Sequence, residues 1–293
     1  FAPLVAGSTL AAMPSQAATF TAFSQAYLQL NNFNQIPQDV GVFLDVQATA
    51  ISKIGSVTAQ LDANSIFFAN NSLVFANSNS LTSLWGAGRS FFGQATISSL
   101  VFGNFFVGAG QDFQFDFTAY LDLSNWTNDL EWNSISTSAK VSWLLIDSDR
   151  NVLDSFRIFG RLNTTKKDIY WDFLRFGASK NISLDWVYAQ TSFARKKEFS
   201  QAFVTGSFQR YFSKDTQLTL VALTQSCSYT SQVAHICGKP IPVPEPSGRF
   251  AFLLGLGCVG VFSSSRIVKQ VVKLTRQPII KHLVKNFLIA FRR

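Results

Sequence analysis

The sequence has two histidines, His235 and His282. A Ser-His-Asp or Cys-His site needs an imidazole within hydrogen-bond reach of its nucleophile. His235 sits inside CSYTSQVAHIC, between Cys227 and Cys237, and His282 lies in a run of lysines and arginines. Neither is placed among candidate partners. Two thiols and one imidazole make an incomplete zinc set. Cys227 and Cys237 therefore read first as a disulfide, with free or metal-bound thiols as the alternative. Carboxylates recur in pairs: Asp112 with Asp116, Asp147 with Asp149, and Asp168 with Asp172. Two carboxylates facing across a cleft could hydrolyse a glycosidic bond, and Asp147 with Asp149 could join a calcium site. Both residues of that last pair also belong to the types that form hairpin turns, which is the simpler expectation. Gly255, Gly257 and Gly260 match G-x-G-x-x-G, but a proline-rich stretch precedes them and no acid follows, so the dinucleotide context is missing. No catalytic residue, no cofactor-binding residue and no metal ligand is assigned, and no cofactor is expected. The six tryptophans and six tyrosines could stack against sugars or could fill a core. Core filling is the first expectation.

Charge divides the chain sharply. There are 25 lysines and arginines against 17 acids, a formal net charge of +8. Nine of the basic residues, Arg249, Arg266, Lys269, Lys273, Arg276, Lys281, Lys285, Arg292 and Arg293, follow Glu245, and no acid does. Residues 1–248 thus hold 16 basic and 17 acidic groups and are close to neutral. A basic protein would ordinarily suggest nucleic acid as a partner. Here the positive charge belongs to the tail alone, and nucleic acid is not expected.

The tail begins with prolines at 240, 242, 244 and 246, which neither a sheet nor a helix interior accepts. Residues 240–249 therefore read as a linker. The uncharged run FAFLLGLGCVGVF follows, from Phe250 to Phe262. With the serines after it, this run makes ~24 Å of helix at ~1.5 Å per residue, against a hydrocarbon core of ~30 Å. Local thinning of the bilayer accommodates the shortfall. Arg249 and Arg266 bracket the run and can snorkel to lipid headgroups. A transmembrane helix is expected over 250–266, with Cys258 a small apolar residue inside it. Residues 267–293 read as a basic amphipathic cytoplasmic tail, as the positive-inside pattern requires.

Pro244, Glu245 and Pro246, followed by a short apolar span and basic residues, resemble the PEP-CTERM sorting signal of bacterial exosortase substrates. The resemblance covers about residues 240–268. It implies that these three residues are the recognition element, that exosortase is the processing partner, and that the protein is handled at the membrane and then displayed at the cell surface or released. It also implies a role in exopolysaccharide and biofilm. The chain departs from the family in continuing to Arg293, well beyond the first basic cluster.

These signals need a body to deliver. Residues 1–17 read as the end of a secretory signal, with Ser15 and Ala17 at the −3 and −1 positions of a cleavage site. Residues 18–239 read as one exported β-sandwich. From Asp112 onward, Phe113, Phe115, Phe117, Ala119, Leu121 and Leu123 fall on one face and polar groups on the other, the period of a half-buried strand. A hairpin is expected from two strands, 139–146 and 152–162, around the turn Asp147–Asn151. Further strands are expected at 19–31, 43–52, 56–62, 65–76, 90–107, 169–176, 182–190, 200–212 and 216–225. Short, evenly spaced strands point to an all-β antiparallel sandwich or jelly-roll-like domain. The function expected is that of a non-enzymatic exported protein of the cell surface or extracellular matrix. The alternatives are a secreted carbohydrate-binding or carbohydrate-active jelly-roll protein and an uncleaved single-pass membrane protein.

Overall fold

A computed structural model describes residues 18–130, 134–165, 172–194, 196–231 and Cys237. The expected transmembrane span, the basic tail and the N-terminal signal lie outside these residues. Within them the chain is all β and antiparallel. The strands are β1 (Thr19–Asn31), β2 (Asp39–Ala69), β3 (Val74–Val107), β4 (Gln111–Thr127), β5 (Ser134–Asp147), β6 (Val152–Thr164), β7 (Phe173–Ala178), β8 (Ile182–Ala194), β9 (Lys197–Phe212) and β10 (Thr216–Ser231). They form one sheet in the order β7-β6-β5-β10-β3-β1-β4-β9-β8, with β2 paired to β3 outside this path.

The expected short strands at 43–52, 56–62, 65–76 and 90–107 are in fact two long ones. The boundary expected within 52–56 is a β-bulge, where the β2–β3 register shifts between Ser52 and Gly55. The real turn is at Asn70–Leu73, inside the strand expected at 65–76. The Asn70 side-chain oxygen accepts the backbone N–H groups of Ser72 and Leu73, which reverses the chain there.

β3 carries the architecture. Its first half pairs with β1 from Ala76 to Ala87, and its second half pairs with β10 from Phe92 to Val107. The strand changes neighbour at Gly86–Ser90. Gly88 has φ +141, and a Cβ there would lie 2.2 Å from the Ile54 carbonyl oxygen. Opposite it, Gly55 has φ +118, and its Cβ would lie 2.0 Å from the Ala87 oxygen. Two glycines face each other because two backbones crowd one corner and neither tolerates a side chain.

This corner folds the sheet back so that β1, β4 and β9 face β10, β5 and β6. Inward residues of all six strands meet in one apolar core. Phe113, Phe115 and Phe117 of β4 are buried with Trp143 of β5, Phe156 of β6 and Phe208 of β9. Phe115 meets Trp143 edge-on with ring centroids 5.1 Å apart, and Phe117 lies 4.6 Å from Phe156. Toward the β3 corner the filling changes. Ser78, Ser80 and Thr82 of β3 hydrogen-bond across the interior to Thr224, Ser226 and Ser228 of β10, at 2.8, 2.9 and 2.9 Å. Ser226 also donates to the Ser80 carbonyl at 2.7 Å. Small hydroxyl residues let the two layers approach within one side chain of each other and satisfy their own polar groups in doing so.

Candidate functional site

The interior becomes polar at the end away from the Phe–Trp core. Asn125 of β4, Thr164 of β6 and Glu198 and Ser200 of β9 are inward-facing and buried. They point inward because they continue the alternation that buries Leu123, Leu162 and Ala202 on the same strands. Thr164 donates its hydroxyl to the Glu198 carboxylate. Burial pushes the Glu198 carboxyl up to about 7, and the neighbouring Asp172 charge acts in the same direction. Asp172 stands just before β7 and accepts the Asn163 backbone N–H at 2.6 Å. Burial raises its carboxyl to about 6. A buried and a half-buried carboxyl group near each other both titrate above the ordinary carboxylate range. Glu198 is only 1% exposed and sits inside the body.

A second buried acid is paired differently. Asp154 of β6 accepts the Arg210 guanidinium of β9 at 2.7 Å, the Ser179 hydroxyl at 2.8 Å and the Asn181 amide at 3.0 Å. One carboxylate thereby ties the β7–β8 turn to the two facing layers. Every donor is charged or held by the turn, so this is a structural clasp.

The sequence-predicted residues separate into groups. Pro244, Glu245, Pro246, Arg249 and Arg266 lie outside the described residues, as do His235, His282, Cys258 and Asp168. Cys227 and Cys237 are joined in a disulfide, with Cα atoms 5.9 Å apart. Cys237 is buried, and its N–H donates to the Ser136 hydroxyl of β5 at 3.3 Å. The bridge therefore fastens Cys237 over the outer side of β5. Asp147 caps its own hairpin turn: its carboxylate accepts the Asn151 backbone N–H at 2.8 Å and the Asn151 amide at 3.0 Å. Asp112 and Asp116 project outward from β4 and accept from Gln209 and Asn32, at 3.2 and 2.7 Å. Among the described residues no three His, Cys, Asp or Glu side chains come together in a metal-binding arrangement. Asp172 is brought beside Glu198, a partner that pairing by sequence proximity missed. The signal was present: at 198–208 the small and apolar set Ser200, Ala202, Val204, Gly206 and Phe208 has the same parity as Glu198, which places that acid indoors.

The aromatic residues divide as well. Trp143 is fully buried, whereas Trp85, Trp126 and Trp186 are 39%, 40% and 64% exposed. Core filling accounts for the first and not for the other three. No protein-family model matches the chain, and no curated protein matches its sequence.

Proposed function

We propose that this chain is an exported, non-enzymatic protein of the cell surface or extracellular matrix, sorted by exosortase through Pro244, Glu245 and Pro246. The observation that carries this reading is the break in the sequence after Lys239. Before it lies a near-neutral β body; after it come a proline-rich linker, an uncharged span and a wholly basic tail. That order is what a protein needs if its body crosses a membrane and its end stays behind. The Cys227–Cys237 disulfide supports export, because such bridges persist in oxidising compartments. We read the folded-back sheet as a sandwich-like, jelly-roll-related body. In this reading it stands outside the membrane, the span 250–266 holds it among lipids, and exosortase acts near the motif. Polysaccharide is the partner such a location implies.

The test is replacement of Pro244, Glu245 and Pro246 by alanine in a host that carries exosortase. The unaltered chain reaches the surface or medium, and the triple variant stays in the membrane fraction at full length. Equal release of both would contradict sorting through the motif. Full retention of both would favour the uncleaved single-pass protein.

A further inference from the structure

The outward side of the β8-β9-β4-β1-β3 layer is built differently from an ordinary solvated face. Strand register aligns Tyr188 of β8 with Phe203 of β9, Phe203 with Tyr120 of β4, and Tyr120 with Tyr27 of β1. Four aromatic side chains thus stand side by side on four neighbouring strands. At ~4.8 Å between strands the row is roughly 14 Å long. One row over, Gln190 aligns with Gln201, Gln201 with Asp122, and Asp122 with Gln25. On the other side, Trp186 aligns with Thr205, Thr205 with Thr118, and Thr118 with Gln29. An aromatic strip is therefore flanked by polar side chains on one long side and by polar side chains and Trp186 on the other.

The strip is held in place by its own flanks. The Tyr27 hydroxyl donates to Gln29 at 2.8 Å and accepts from Asn77 at 3.1 Å. Tyr120 donates to Asp122 at 3.0 Å, and Gln201 donates to the same carboxylate at 3.2 Å. Tyr188 donates to Gln190 at 2.7 Å. Trp186 stands edge-on to Phe203, with centroids 6.1 Å apart. Each amide has both donor and acceptor sites, and each of these bonds uses only one of them. Further along the same face, register places Thr21 between Trp126 and Trp85, both exposed.

Charge narrows what can lie there. The two flanking rows and the aromatic row contain Asp122 and no lysine or arginine. In these three rows a polyanion would meet no cation, and Lys197 of the same layer lies at the far end, in register with Trp126, which argues against nucleic acid, an anionic lipid surface or an acidic glycan along the strip. Polar side chains border the rings on both sides, whereas a protein partner buries a patch whose core is largely apolar. An uncharged sugar chain fits both properties. Its C–H faces stack on rings, and its hydroxyls take up and supply hydrogen bonds to amides.

We propose that this face, centred on Tyr27, Tyr120, Phe203 and Tyr188 and extended by Trp186, binds a neutral polysaccharide laid across the strands. The proposal names the partner of the surface-protein reading, yet the two can fail separately. Glycan binding belongs to the body and sorting to the tail.

The test uses the full-length chain in detergent. Cellohexaose, laminarihexaose and dextran are the neutral probes, alginate is the anionic one, and binding is read by calorimetry and tryptophan fluorescence. At least one neutral probe should bind. Exposed-site variants Trp186→Ala and Tyr188→Ala should each weaken that binding by about tenfold, the loss of one good ring contact. Trp186→Phe should restore most of it. A thermal melt equal to that of the parent shows that the variants are folded. Should either one melt early, Gln190→Ala on the exposed flank beside Tyr188 serves in its place. Absence of binding to all three neutral probes, unchanged affinity in the folded variants, or salt-sensitive preference for alginate would overturn the proposal. The position of the mature C-terminus would be unaffected by any of these outcomes.

Discussion

Glu198 makes the body's stability depend on pH. Its carboxyl titrates near 4.5 when exposed and near 7 when folded, so the folded protein holds a proton that the unfolded chain gives up. Stability is therefore fully present below about pH 4.5 and falls as the pH rises through about 7. Asp172, raised to about 6, adds to the same slope. Glu198→Gln keeps the shape and removes the ionisation. Urea unfolding at pH 5 and pH 8 should show the parent losing on the order of 2 kcal/mol more than the variant. Equal losses would mean that Glu198 is ionised at no cost. Asp154 is as deeply buried as Glu198, yet it has a guanidinium, a hydroxyl and an amide around it. The contrast between the two acids lies in their partners, which sequence spacing does not reveal: Arg210 is far from Asp154 in the chain and arrives only through the facing of β9 on β6.

At the scale of elements, the disulfide and the β3 corner decide how the body closes. The bridge pins Cys237, the last described residue before the proline stretch, against β5. Replacing both Cys227 and Cys237 by alanine should lower the unfolding free energy by about 2–3 kcal/mol, the chain-entropy value for so short a loop. A change below about 0.5 kcal/mol, on the scale of an ordinary surface substitution, would show that the bridge does not hold this segment. Much of the element pattern was legible. The Asp112 alternation predicted β4, and Asp147–Asn151 predicted the β5–β6 turn, because period and turn chemistry are local. The two long strands were not. Polar Asn, Ser and Asp inside β2 and β3 look like turn signals, yet Ser78, Ser80 and Thr82 are interior hydroxyls bonded to β10. Their role depends on a partner strand far away in sequence. Gly55 and Gly88 likewise look like strand breaks, and they are the corner at which β3 changes neighbour.

The whole molecule reads as a body and a delivery device with separate chemistries. The body is a low-charge sheet folded over a Phe–Trp core, and its outward face lines up rings and amides. That face was only half legible. Abundant aromatics pointed to a core or a sugar platform, and the sequence without strand register could not tell which rings were outside. Register across β8, β9, β4 and β1 separates them. The tail carries the positive charge and the Pro-Glu-Pro motif, and export followed by processing at that motif is the route proposed for the protein. The most direct test is the intact mass of the mature chain recovered from the producing cell. A C-terminus near Glu245, with Arg266 and the basic tail absent, is the predicted result. A mature chain that still ends at Arg293 would contradict it.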